Sequence, residues 1–107
     1  MTKISILYPN QQGGRFDMAY YVETHMRMSI ERLSAGQGFR GVSVERGVGG
    51  ATPGSAPAYI AMCHFLFDSV EDFMAAFMQH AAVLQGDRPN YTDIEPVIQI
   101  SEVVINR

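Results

Sequence analysis

Tyr21 and His25 stand four residues apart, the spacing that brings two side chains together on one face of a helix. Histidine exchanges a proton near neutral pH, and a phenol beside it donates a hydrogen bond or tunes it. Such a pair suits proton abstraction, dehydration or isomerisation of a carbonyl compound. The competing reading is structural: a buried helix histidine whose ring nitrogens are satisfied by neighbouring backbone. Both readings stay open on the residues alone. Tyr8, at the end of the first apolar alternation, lines either a pocket mouth beside Tyr21 or an ordinary sheet face. Tyr91 falls in a later loop, as a lid or an intersubunit contact. Met28 shares the helix face of Tyr21 and His25 and offers adaptable apolar lining, although methionines more often simply fill a core.

The other histidines have plainer explanations. His64 alternates with Ile60, Met62 and Leu66 along one strand face, where a lone histidine is usually a satisfied structural residue. His80 lies near the end of the second helix, where a cation suits the helix dipole. Three histidines in three elements make no metal motif by spacing, and the single cysteine, Cys63, rules out an intramolecular disulfide and a cysteine-built zinc site. The glycine-rich stretch 48–57 follows a strand but precedes another strand, not a helix, so it lacks the context of a dinucleotide cradle. No flavin, nucleotide or metal cofactor is predicted, and a classical redox enzyme is disfavoured.

The 107 residues fit one domain, 1–107, and 47% apolar composition is that of a globular chain. The net charge of −3 with eight scattered basic residues leaves no footprint for nucleic acid or an anionic membrane. The first nine residues lack the basic and long apolar regions of a signal peptide, and no apolar run reaches membrane-spanning length. The expectation is a soluble cytoplasmic protein.

The elements that must hold these side chains can be read in order. Alternation at Ile4, Ile6 and Tyr8 predicts a strand stopped at Pro9. Asp17 is a good N-cap for a helix running to about Leu33, ended by Gly36 and Gly38. Strands are predicted from about Phe39 to Gly47 and from Ala58 to Phe67. Ser69, with Asp72 three residues on, caps a second helix whose apolar stripe runs from Val70 to Leu84 and closes at Gly86. Residues 89–96 are irregular, and Val97 to Ile105 forms the last strand. The order β-α-β-β-α-β is ferredoxin-like: an α+β fold, an antiparallel sheet with two helices on one face. The third and fourth strands are apolar on both sides, so the second sheet face is predicted to meet a second copy of the chain, giving a dimeric α/β barrel.

The segment Phe16-Asp17-Met18-Ala19-Tyr20-Tyr21-Val22-Glu23-Thr24-His25, with Tyr8-Pro9 before it, resembles the EthD family of small dimeric α/β-barrel proteins. The segment Asn90-Tyr91-Thr92-Asp93-Ile94-Glu95-Pro96-Val97-Ile98-Gln99 is similar to that family's final loop and strand. The resemblance implies protomers paired sheet to sheet as a homodimer, and Gln99 and Ser101 resemble polar residues inside such a barrel, or else mark a weakly polar sheet face. It also implies association with the breakdown of small hydrophobic organic compounds or with polyketide-type chemistry. Three roles fit: cofactor-free acid-base catalysis centred on His25, a non-catalytic accessory protein serving an oxygenase, or a cofactor-free monooxygenase. One departure stands out. The family commonly follows its histidine with x-Pro-Leu, whereas here the run is His25-Met26-Arg27-Met28. Without that proline, the helix is predicted to run straighter and longer.

Overall fold

The computed structural model describes residues 1–107. Strand β1 (Thr2–Pro9) leads to a helical run, α1, made of Met18–Tyr20, Tyr21–Met26 and Arg27–Leu33. Strands β2 (Phe39–Arg46) and β3 (Tyr59–Phe67) follow, then helices α2 (Val70–Met78) and α3 (Ala81–Gly86), a short 3-10 turn at Arg88–Asn90, and β4 (Val97–Glu102). The sheet order is β2-β3-β1-β4 and every pairing is antiparallel. This is the ferredoxin-like α+β fold expected from the element order.

Register explains which face is the core. Ile4 lies opposite Phe65 and Ile100, Ile6 opposite Cys63 and Ile98, and Tyr8 opposite Ala61. Side chains alternate along a strand, so these residues share one face. Tyr21, Met26 and Leu33 of α1 join Phe73, Ala76 and Leu84 of α2 and α3 in burying it. Removing a ring such as Phe65 or Phe67 from this core would cost about 3–5 kcal/mol. The opposite face carries Leu7, Ile60, Met62 and Leu66, all half-buried, around Ser5, His64, Gln99 and Ser101. There His64 Nδ1 bonds Ser5 Oγ at 2.7 Å, and Nε2 sits 3.5 Å from Glu45.

Capping follows the sequence. Asp17 accepts from the Tyr20 amide at 3.1 Å, and Ser69 accepts from the Asp72 amide at 3.1 Å. Gly38, at φ +81°, supplies the left-handed turn after α1, and a side chain there would strike Asp72.

Three expectations need correction. The first helix is not a straight α-helix: Tyr21–Met26 is π-helical, one residue per turn looser than its flanks. Losing the proline permits continuity to Leu33 but does not enforce regular winding. The second helix is two helices. The His80 amide bonds the Phe77 carbonyl at 2.9 Å, a 3-10 contact that interrupts the α pattern; Met74 and Met78, on the first of the two helices, are exposed rather than packed. The last strand stops at Glu102; one further bond, from the Val103 amide to the Met1 carbonyl, ends the ladder, and Val104 and Ile105 lie exposed. No helix is long and apolar enough to cross a membrane.

Candidate functional site

The site is assembled by two segments distant in sequence. Residues 15–17, at the entry to α1, are clamped to residues 89–93. The Asp17 amide bonds the Tyr91 carbonyl at 2.7 Å, Thr92 Oγ1 donates to the Arg15 carbonyl at 2.6 Å, and Phe16 and Thr92 form an isolated bridge. In the 3-10 turn that follows α3, the Tyr91 and Thr92 amides both bond the Arg88 carbonyl at 3.0 Å. This short turn delivers four side chains to one place: Asp87, Arg88, Asn90 and Tyr91.

Asp87 receives the histidine. His25 Nδ1 lies 2.9 Å from Asp87 Oδ2. The other carboxylate oxygen, Oδ1, accepts from the Tyr20 hydroxyl at 2.8 Å and from Asn90 Nδ2 at 2.9 Å. Burial pushes the Asp87 carboxyl up, but the bonds from Asn90, Tyr20 and His25 outweigh it and hold the group below its ordinary range. Burial dominates at His25 and lowers its pKa, against the opposing pull of Asp87. At neutral pH the pair is therefore a carboxylate beside a neutral imidazole. An ionised carboxylate only accepts, so the imidazole hydrogen must sit on Nδ1. That leaves a lone pair on Nε2, and the only side-chain hydrogen bond of the ring is the one at Nδ1.

The imidazole is held from its faces as well. The Tyr91 ring lies 4.5 Å from it, centroid to centroid, and Tyr21 runs nearly parallel at 6.0 Å and 15°. The looser π turn sets this stacking, because it brings residues four and five apart into near alignment. Tyr8 and Tyr91 exchange a hydroxyl–hydroxyl bond of 2.7 Å. Burial raises the pKa of Tyr8, Tyr21 and Tyr91, so all three remain phenols. Burial also pushes the Cys63 thiol up to about 12.

A cavity of about 120 Å³ opens between the sheet and the helices, with Tyr8, Tyr21, His25 and Tyr91 at one end and Cys63, Phe65 and Phe73 along its floor and far wall. Pro96 and Ile98 form a lip at the β4 edge, where Ile98 is 62% exposed. Arg88 is the one cationic side chain on the wall.

Of the residues singled out in the sequence, Tyr21, His25, Tyr8 and Tyr91 come together around this cavity. Tyr21 and His25 meet ring to ring, and the Tyr21 hydroxyl makes no bond to the histidine or to any other partner. Met28 stands off the cavity wall, and its neighbour Met26 lines it instead. Gln99 lies opposite Ser5, on the sheet face away from the cavity, where it bonds Ser101. His64 occupies that same outer face. The residues that reasoning from sequence overlooked are Asp87, Asn90, Arg88 and Tyr20. The visible signal was the run Asp87-Arg88-Pro89-Asn90-Tyr91, which places an acid, a base and two polar groups in one turn beside a proline.

The EthD domain profile matches residues 15–95, a span that contains every member of the His25–Asp87 arrangement. The chain belongs to the EthD family. An EthD-like protein from Ralstonia eutropha JMP134 is 48% identical, with 99% of this chain and 94% of that chain covered and a TM-score of 0.90. An EthD family protein from Bacillus halodurans C-125 is 18% identical over 97% of this chain and 99% of that chain, with a TM-score of 0.65. A Shewanella loihica PV-4 protein named as a candidate monooxygenase is 11% identical over 99% of both chains, with a TM-score of 0.59, and shares the fold. No curated protein matches the chain.

Proposed function

We propose that this EthD-family chain binds a small, mainly apolar organic compound in the cavity, and that His25 acts on it as a general base. One observation carries the reading: an imidazole oriented by a carboxylate through Nδ1, with no protein partner on Nε2, lines an apolar cavity. Asp87 is a positioning residue. It fixes the tautomer and stabilises the imidazolium formed when a proton is taken up. The chemistry that suits one base and an apolar wall is removal of an acidic C–H or O–H proton from a carbonyl or phenolic compound, with no cofactor.

The test follows His25 by NMR while cyclohexanone and phenol are titrated in, and then measures solvent-deuterium exchange into the bound ketone. Binding to the wild type with exchange lost in His25→Gln supports the reading. Exchange that persists in the variant contradicts it. Binding that shifts His25 without any exchange makes the chain a carrier rather than a catalyst.

The reading extends to assembly. Leu7, Ile60, Met62 and Leu66 form a half-buried apolar patch on the outer sheet face, interleaved with Ser5 and His64. We propose that two copies pair through it. Light scattering at micromolar concentration should return about 24 kDa, twice the 11.9 kDa chain; a monomeric mass would contradict the pairing.

A further inference from the structure

The cavity has a second chemical feature besides its base. Arg88 is the sole charged side chain on a wall otherwise built of aromatic, aliphatic and neutral polar groups. Its neighbour in sequence, Asp87, is already engaged by His25, Tyr20 and Asn90. The only side-chain partner of Arg88 is Glu95, through one Nη2 contact of 3.2 Å, and the Glu95 side chain is 83% exposed. A monodentate pair between such groups is worth little in water. A guanidinium offers five N–H donors in a planar fork that matches a carboxylate, so most of the donor capacity of Arg88 is unspent. Its carbonyl accepts from the Tyr91 amide at 3.0 Å in the same turn, and Arg88, Tyr91 and His25 all line the cavity. The Tyr8–Tyr91 bond uses one of two hydroxyl hydrogens, so the pair retains one further donor.

The size of the cavity bounds the rest of the ligand. An apolar cavity of about 150 Å³ takes up benzene, so a space of about 120 Å³ with an open lip holds one six-membered ring and little more.

We propose that Arg88 is the recognition residue of this cavity and that its ligand is a single-ring organic acid, whose carboxylate takes the place of Glu95 on the guanidinium. This rests on the reading of the cavity as a ligand site and adds to it the class of ligand. The apolar ring sits against Phe65 and Phe73, and the carboxylate stays at the mouth, where the desolvation of its charge is smallest.

The experiment is calorimetric titration at low salt with three probes: benzoate, benzamide and 1-naphthoate. Wild-type protein should bind benzoate more tightly than benzamide, and 1-naphthoate more weakly than benzoate, because a second ring exceeds the space. Arg88→Gln should weaken benzoate about tenfold or more and leave benzamide within twofold. Glu95→Gln, at an exposed position, should tighten benzoate by removing its competitor. Arg32→Gln, a basic residue that does not line the cavity, should change nothing. Benzamide binding as tightly as benzoate, 1-naphthoate binding more tightly than benzoate, or unchanged benzoate affinity in both the Arg88 and Glu95 variants would overturn the proposal. If benzoate fails to bind while cyclohexanone still shifts His25, the proposal falls and the ligand-site reading stands. If neither binds, both fall.

Discussion

Asp87→Asn tests the hydrogen-bond logic of the site in a near-isosteric change. In the native arrangement Asp87 Oδ2 accepts from His25, and Oδ1 accepts from both Tyr20 and Asn90. An asparagine has one acceptor oxygen. Turning its NH₂ toward Tyr20 and Asn90 would forfeit two bonds, about 2 kcal/mol together, whereas turning it toward His25 forfeits one. The amide should therefore keep its oxygen at the Oδ1 position and aim its NH₂ at His25 Nδ1. Nδ1 must then accept, and the imidazole hydrogen moves to Nε2. The native tautomer is held by a charge-assisted bond of about 1.5–3 kcal/mol; in the variant the reversed tautomer should lead by about 1 kcal/mol, roughly a fivefold excess. The free Nε2 lone pair then remains in about one molecule in six, so the change of tautomer alone should slow general-base catalysis about sixfold. Two-dimensional ¹⁵N NMR of the histidine ring reports the tautomer directly. Wild type should show hydrogen on Nδ1 and the variant on Nε2, with global stability lower by about 1 kcal/mol. A variant that keeps its hydrogen on Nδ1 would show that Asp87 does not set the tautomer.

Further outcomes follow from the same contacts. Tyr91→Phe strands the buried Tyr8 hydroxyl and should cost about 1–3 kcal/mol, while adding Tyr8→Phe should recover part of that loss in urea unfolding, because removing both partners leaves nothing unsatisfied. Equal loss in the single and double variants would contradict the pairing. The folded-state pKa of His25 lies below its ordinary 6.5, so the unfolded chain takes up this proton first as pH falls. Its contribution should therefore lower stability progressively from about pH 6.5 down to the folded value, a slope that His25→Gln should reduce in pH-dependent urea midpoints. The Asp87 carboxyl is held below its ordinary 3.8, so its stabilisation is complete above that value and lost on further acidification. Cys63, almost fully buried and with its thiol pushed up to about 12, should react with a soluble disulfide reagent at pH 8 far more slowly than it does in the urea-unfolded chain; equal rates would contradict this.

The fold was legible because its signals are local. Alternation at Ile4, Ile6 and Tyr8, the caps at Asp17 and Ser69, and the glycines after Leu33 each name an element boundary that the structure keeps. Half of the site was legible for the same reason: residues on one helix face, such as Tyr21 and His25, announce their proximity by spacing. Asp87 did not, because its partner is 62 residues away and the contact depends on how the clamp between residues 15–17 and 89–93 folds the turn back. The π segment was also hidden. Winding that differs by one residue per turn leaves no mark in an apolar pattern read at helical spacing. Gln99 and Ser101 lie on the outer sheet face, the side a sheet-to-sheet barrel would enclose and not the side that faces the cavity, as the register opposite Ser5 requires.

His25, oriented by Asp87, is proposed to act as a free base on a ligand in the cavity. The most direct measurement is solvent-deuterium incorporation at the benzylic carbon of phenylpyruvate, a single-ring acid with an acidic C–H next to a ketone. Wild-type protein should exceed the buffer rate by about 10²–10⁴, and His25→Gln should return to the buffer rate. A wild-type rate equal to buffer, or a His25→Gln rate equal to wild type, would mean that His25 is not the base.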